Sequence, residues 1–254
     1  MRSPPTFEHL LIIDDDAILR ELLTLLLASR IPTVTAVESG EAALDLLQAL
    51  SPAERPSILL VDVNLPGIAG SELAARLRPV CPLPALLFAM SASTFSPQIR
   101  AAFDDFLLKP FTVEDFYTAV ERAHANSDLP SDVLPAAADK TPSGAATLPP
   151  LDESIYLKLS SIMGPPALFE LYDLFVKDVT MRLDRLRSAA ATGEADVFTR
   201  EAHAIKGSCG MLGATELQSM AGRMETEGLA PLHLDPFAAA LTRLHSILIA
   251  KVQE

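Results

Sequence analysis

The sequence predicts an α/β doubly wound five-stranded parallel sheet followed by an all-α helical bundle. In the first half, short apolar runs alternate with helix-patterned stretches, strand then helix five times over, which is the signature of a parallel sheet covered on both faces. Residues 127–150 then hold five prolines and five alanines and no aromatic residue, the composition of an extended linker. Beyond them apolar residues recur only at helical spacing. The expected organisation is therefore a sheet domain over 1–126, a Pro/Ala-rich linker over 127–150 and a four-helix-bundle-type domain over 151–254.

Each element has its own local signal. Leu10–Ile13, Thr33–Val37, Ile58–Val61, Ala85–Ala89 and Phe106–Leu108 have the length and flanks of buried strands. The intervening helices are expected over Ala17–Ser29, Gly40–Leu50, Gly70–Leu77, Pro97–Phe103 and Thr112–Ala125. In the second half, Leu168, Leu171, Tyr172, Phe175, Val179, Leu183 and Leu186 form one helical stripe, and Phe237, Leu241, Leu244 and Leu248 another. Helices over Phe198–Leu212 and Ala214–Glu227 complete the bundle, with a shorter one at Ser154–Met163 packing at its start.

Composition narrows the function. The 254 residues carry 20 basic and 33 acidic side chains, a net charge of −13 with no basic run, which argues against nucleic acid as a partner. No apolar run approaches the roughly 18 residues of a spanning helix, and the N-terminus lacks a secretory apolar core, so membrane insertion is not expected and a cytoplasmic location is. Cys81 and Cys209 are too few for a disulfide framework and read as buried thiols.

The chemistry collects where strands end. The first strand runs into Asp14-Asp15-Asp16, the third into Asp62-Val63-Asn64, the fourth into Ser91 and the fifth into Lys109-Pro110. In a parallel sheet these ends share one rim. Crowded carboxylates call for a cation, and hard oxygen ligands suit Mg²⁺. A hydroxyl and an ammonium beside them supply the donor and the compensating charge that a phosphoryl group needs. Asp15 or Asp16 also reads as the cap of the helix beginning at Ala17.

With this set on one rim, residues 8–125 resemble a response-regulator receiver domain, a flavodoxin-like fold. The resemblance implies the sheet order 2-1-3-4-5 and Asp62 as phosphoacceptor. It implies Asp14, Asp15 and Asp62, with the backbone carbonyl of Asn64, as Mg²⁺ ligands, and Ser91 and Lys109 as contacts of the phosphoryl oxygens. Phe106 takes the place of the aromatic residue that family members rotate when the hydroxyl, here Ser91, is drawn to the phosphate. From Ser91 to Lys109 the chain is about one helical turn shorter than receivers usually are. The fourth helix should be short, which argues against the receiver dimer that commonly uses that face.

In the bundle, Phe198, Ala202, Ile205, Cys209 and Leu212 form a buried stripe, and His203 lies about 100° off it, so it is expected to face solvent. Thr199, Lys206, Gly207 and Gly210 share its face. Glycine in a helix interior costs roughly 1 kcal/mol relative to alanine, so two on one exposed face suggest clearance for a partner. A neutral imidazole is a competent nucleophile for phosphoryl transfer, and the Lys206 ammonium can offset the added charge. The run Ala202-His203-Ala204-Ile205-Lys206-Gly207-Ser208, followed by Leu212-Gly213-Ala214, resembles a histidine phosphotransfer (HPt) domain.

Together these features predict a two-component phosphorelay protein. Asp62 would accept a phosphoryl group, and His203 would exchange phosphoryl groups with Asp62 or with partner receivers. With no phosphate-cradling glycine loop, the chain should be a phosphotransfer protein and not a kinase, supplied by a sensor histidine kinase or another receiver or HPt protein. Two other readings account for part of the same residues. One is a receiver acting only as a docking module beside an active HPt domain. The other is a phosphatase of the haloacid-dehalogenase type, with Asp14 as nucleophile, which would leave Asp62 and Asn64 unexplained.

Overall fold

A computed structural model describes residues 8–81, 85–126, 148–229 and 233–252. Five parallel strands form the sheet: β1 (His9–Ile13), β2 (Thr33–Val37), β3 (Ile58–Asp62), β4 (Leu86–Ser91) and β5 (Asp105–Leu108). They are ordered β2-β1-β3-β4-β5, with Leu10 in register with Val34 on one side and Ile58 on the other. Alternation divides the apolar side chains between two faces. Leu10, Ile12, Leu60 and Phe88 point to one core; Leu11, Ile13, Leu59 and Leu87 point to the other.

Five helices cover those faces: α1 (Ala17–Leu27), α2 (Gly40–Ala49), α3 (Gly70–Leu77), α4 (Pro97–Ala102) and α5 (Val113–Asn126). Their starts follow from local chemistry. The Asp16 carboxylate accepts from the N–H groups of Ile18 and Leu19, and Ser39 caps α2 through the N–H of Ala42. At α4, Ser96 caps and Pro97 opens a helix of only six residues, as short as expected.

The bundle consists of α6 (Glu153–Met163), α7 (Pro165–Thr192), α8 (Ala195–Met211), α9 (Thr215–Glu227) and α10 (Leu234–Val252). Phe175, Phe198, Phe237 and Leu244 fill its centre. α7 runs well past the stripe that predicted it and stops at Gly193, whose φ of 78° only glycine adopts cheaply. Cys209 is buried as expected; Cys81, in the turn after α3, is only half-buried, and both are free thiols.

Most of the expected linker, residues 127–147, lies outside the described residues. At its described end the carbonyl of Pro149 accepts from the Thr215 hydroxyl, tying the chain to the start of α9. The bundle rests against the sheet domain through α7 and α8 on α1. One continuous apolar cluster runs from beneath α1 and α5 into the bundle core, while the cluster beneath α2, α3 and α4 stays within the sheet domain.

Candidate functional site

The four strand ends deliver their polar residues to one rim. Asp14 follows β1 and is fully buried, Asp62 ends β3, Ser91 ends β4, and Lys109 follows β5. The Lys109 ammonium stands between two carboxylates, donating to Asp14 Oδ2 at 2.7 Å and to Asp62 Oδ2 at 2.6 Å. Its backbone N–H donates to the Ser91 carbonyl at 2.7 Å, which anchors the β5 end to the β4 end. The second oxygens are also used: Asp14 Oδ1 accepts from the N–H of Asp16 at 2.9 Å, and Asp62 Oδ1 from the N–H of Asn64 at 2.7 Å.

One ammonium does not balance this rim. Burial pushes the Asp14 carboxyl up to about 7; Lys109 opposes the rise, and the charges of Asp62 and Asp16 add to it. Asp15 is raised too, first by burial and then by Asp62. Burial alone would lower Lys109, but Asp14 and Asp62 hold it above the ordinary lysine range. Among the described residues no three His, Cys, Asp or Glu side chains are gathered into a ready metal cage. The donors are nonetheless all oxygens, in carboxylate excess over the single lysine. That set fits a hard divalent cation in charge and in ligand type.

The bundle brings His203 to the same place. The sequence placed this ring toward solvent, but its side chain is only 12% exposed, because the sheet domain's rim lies over that face of α8. Its Nδ1 is 2.7 Å from Glu225 Oε1 on α9, and its Nε2 is 2.9 Å from Asn64 Nδ2 across the domain boundary. Lys206 donates to Glu225 Oε2 at 3.0 Å. Burial works to raise Glu225, yet the hydrogen bonds from His203 and Lys206, together with the Lys206 ammonium, outweigh it and hold the carboxyl below the ordinary range. Gly207 and Gly210, expected on an open surface, are buried. A side chain begun at Gly207 would meet Lys109, Leu19 and Ala92 of the sheet domain, and one at Gly210 would meet first Gln218 of α9 and then Pro110. At Gly207 the clearance is taken up by this chain's own sheet domain.

Phe106 is half-buried away from the rim, its ring 5.2 Å from that of Phe95 and beneath the Arg100 guanidinium. Three residues that the sequence did not single out also belong to the site: Glu225, the side chain of Asn64, and Arg182. Arg182 is buried on α7, donates to Asp178 at 2.6 Å and to Glu201 at 3.2 Å, and reaches Asp16 of the sheet domain at 3.5 Å. Its position offered a signal, since it interrupts the apolar stripe at a place where a charge needs buried partners. Between the two domains lies a cavity of about 460 Å³, with Asp14, Asp15, Asp62 and Lys109 on one wall and Arg200 and His203 on the other.

Comparison with known proteins separates the same two parts. Residues 10–121 match the model of the response regulator receiver domain, and residues 170–250 that of the Hpt domain. The DNA-binding response regulator MtrA of Mycolicibacterium paratuberculosis is 29% identical over 130 residues, covering 50% of this chain and 56% of MtrA. The transcriptional regulatory protein CseB of Streptomyces coelicolor is 33% identical over 105 residues, covering 41% of this chain and 43% of CseB. The chain thus spans about half the length of the curated relatives it matches. Among solved structures, chemotaxis protein CheY4 of Vibrio cholerae superimposes with a TM-score of 0.40 at 22% identity, over 46% of this chain and 98% of that one. The chain therefore joins a response regulator receiver domain to an Hpt domain.

Proposed function

We propose that this chain is a two-component phosphorelay protein in which Asp62 accepts a phosphoryl group and His203 exchanges it, with Asp62 of the same chain or with partner receivers. The observation that carries the reading is the single cavity holding both groups, with His203 bonded to Asn64 two residues from Asp62. An Asp62 oxygen attacks the donor's phosphorus, and the donor's own bond to that phosphorus breaks with its electron pair leaving on the donor. Lys109 compensates the charge carried in, and Ser91 offers a hydroxyl to a phosphoryl oxygen. Asp14 and Asp15, with Asp62 and the Asn64 carbonyl, would hold Mg²⁺, which when bound neutralises phosphoryl oxygens. Glu225 keeps a hydrogen on Nδ1, which leaves the lone pair on Nε2 for attack, and Lys206 sits one helical turn away to offset charge at the ring. The phosphoryl group would come from a sensor histidine kinase, another receiver or another HPt protein, with no nucleic acid partner and no membrane insertion. Among the described residues no helix is long and apolar enough to cross a membrane.

Labelling with acetyl phosphate and Mg²⁺ tests the reading. Wild type should carry label first as an alkali-labile acyl phosphate and then as an alkali-stable phosphohistidine. Asp62→Asn should lose both, and His203→Gln only the second. Equal labelling of Asp62→Asn and wild type would remove Asp62 from the mechanism.

A further inference from the structure

The side-chain amide of Asn64 touches both domains at once. Its Nδ2 donates one hydrogen to Ser91 Oγ at 3.1 Å and points the other at His203 Nε2, 2.9 Å away. The direction of the second bond follows from the far side of the ring. Glu225 Oε1 can only accept, so Nδ1 carries the hydrogen, and a neutral imidazole then offers a bare lone pair at Nε2. That lone pair is the one phosphoryl transfer requires. The amide therefore occupies the nucleophilic atom of the HPt domain from the receiver side.

We infer that Asn64 is a positioning residue that determines specificity: it clasps His203 Nε2 when neither site carries a phosphoryl group, turning the ring toward its own receiver and withholding it from others. The inference rests on the reading of His203 as a phosphoryl acceptor. Phosphorylation of His203 would remove a partner of the clasp, because it consumes the Nε2 lone pair, whereas the Ser91 oxygen can go on accepting from Asn64 while its hydrogen turns to a phosphoryl group at Asp62. When a second molecule's phospho-Asp62 is the donor, the His203 lone pair forms the N–P bond. The P–O bond to the donor's Asp62 breaks with its electron pair returning to that carboxylate, and the Nδ1 hydrogen stays on the ring beside Glu225. For that to happen Nε2 must first leave Asn64.

Two measurements on the full chain decide this. Leucine has nearly the shape of asparagine without its N–H groups, so Asn64→Leu separates donor from shape. In ¹⁵N spectra of the histidine side chains, Asn64→Leu should move His203 Nε2 toward the value of a lone pair free of hydrogen bonding, with Nδ1 little changed. For transfer, a His203→Gln chain labelled at Asp62 serves as donor, and Asp62→Asn chains with and without Asn64→Leu serve as acceptors. The Asn64→Leu acceptor should be labelled about fivefold faster, the worth of one net hydrogen bond of about 1 kcal/mol. An unchanged Nε2 resonance, or trans labelling that stays level or falls, overturns the clasp. If His203 accepts label in neither chain, the acceptor role itself fails, and the Nε2 resonance still decides the contact.

Discussion

Asp14 is the residue at which the rim's charge imbalance becomes measurable. Its carboxyl stands at about 7 in the folded chain against an ordinary 3.8. A carboxyl raised by folding stabilises the folded state while it holds its proton, and that contribution is lost as the pH climbs through the raised value. With a chelator present, the urea midpoint should therefore fall between pH 5 and pH 8, and Asp14→Asn should remove most of the fall. Adding Mg²⁺ at pH 8 should restore the midpoint, by about 2.7 kcal/mol at a hundredfold excess over its dissociation constant; a midpoint indifferent to Mg²⁺ would count against the metal site. Asp14, Asp62, Ser91 and Lys109 were legible because each closes its own strand, and parallel strands end on one side. Glu225 was not. It meets His203 only through the packing of α9 against α8, and nothing within a few residues of either announces the pair.

Helix α8 shows the same limit one level up. Its apolar stripe was readable, and so was the need for a smooth opposite face, but the identity of the visitor depends on how two separately patterned segments dock. A methyl group at Gly207 would sit 3.6 Å from the Lys109 side chain, an ordinary contact, whereas a larger side chain would occupy the space of Lys109, Leu19 and Ala92. Gly207→Ala should therefore leave the interface closed. Gly207→Leu should force the receiver off while favouring the helix by up to roughly 1 kcal/mol. X-ray scattering should give Gly207→Leu a larger radius of gyration than wild type, with the helical circular dichroism signal retained; an unchanged radius would mean that the interface absorbs the bulk. Helix α4 illustrates the opposite case, since the stretch between Ser91 and Lys109, about one turn shorter than in the receivers it resembles, was enough to foretell a short helix.

Across the whole molecule, one apolar cluster and the buried Arg182–Asp16 pair cross from one domain to the other. Shared burial couples stability, so the wild-type chain should unfold in urea in a single transition that receiver and bundle probes report alike. In Gly207→Leu the probes should separate into two transitions. Coincident curves in that variant would show that the domains stay coupled by other means. The chamber between the domains has a further consequence for input. At about 460 Å³ it can take in a molecule the size of a metabolic acyl phosphate, but not the flat face of a kinase. Small donors would enter by diffusion, while macromolecular ones would need the two halves to part, so the share of molecules standing parted at any moment would scale how fast proteins reach the same groups.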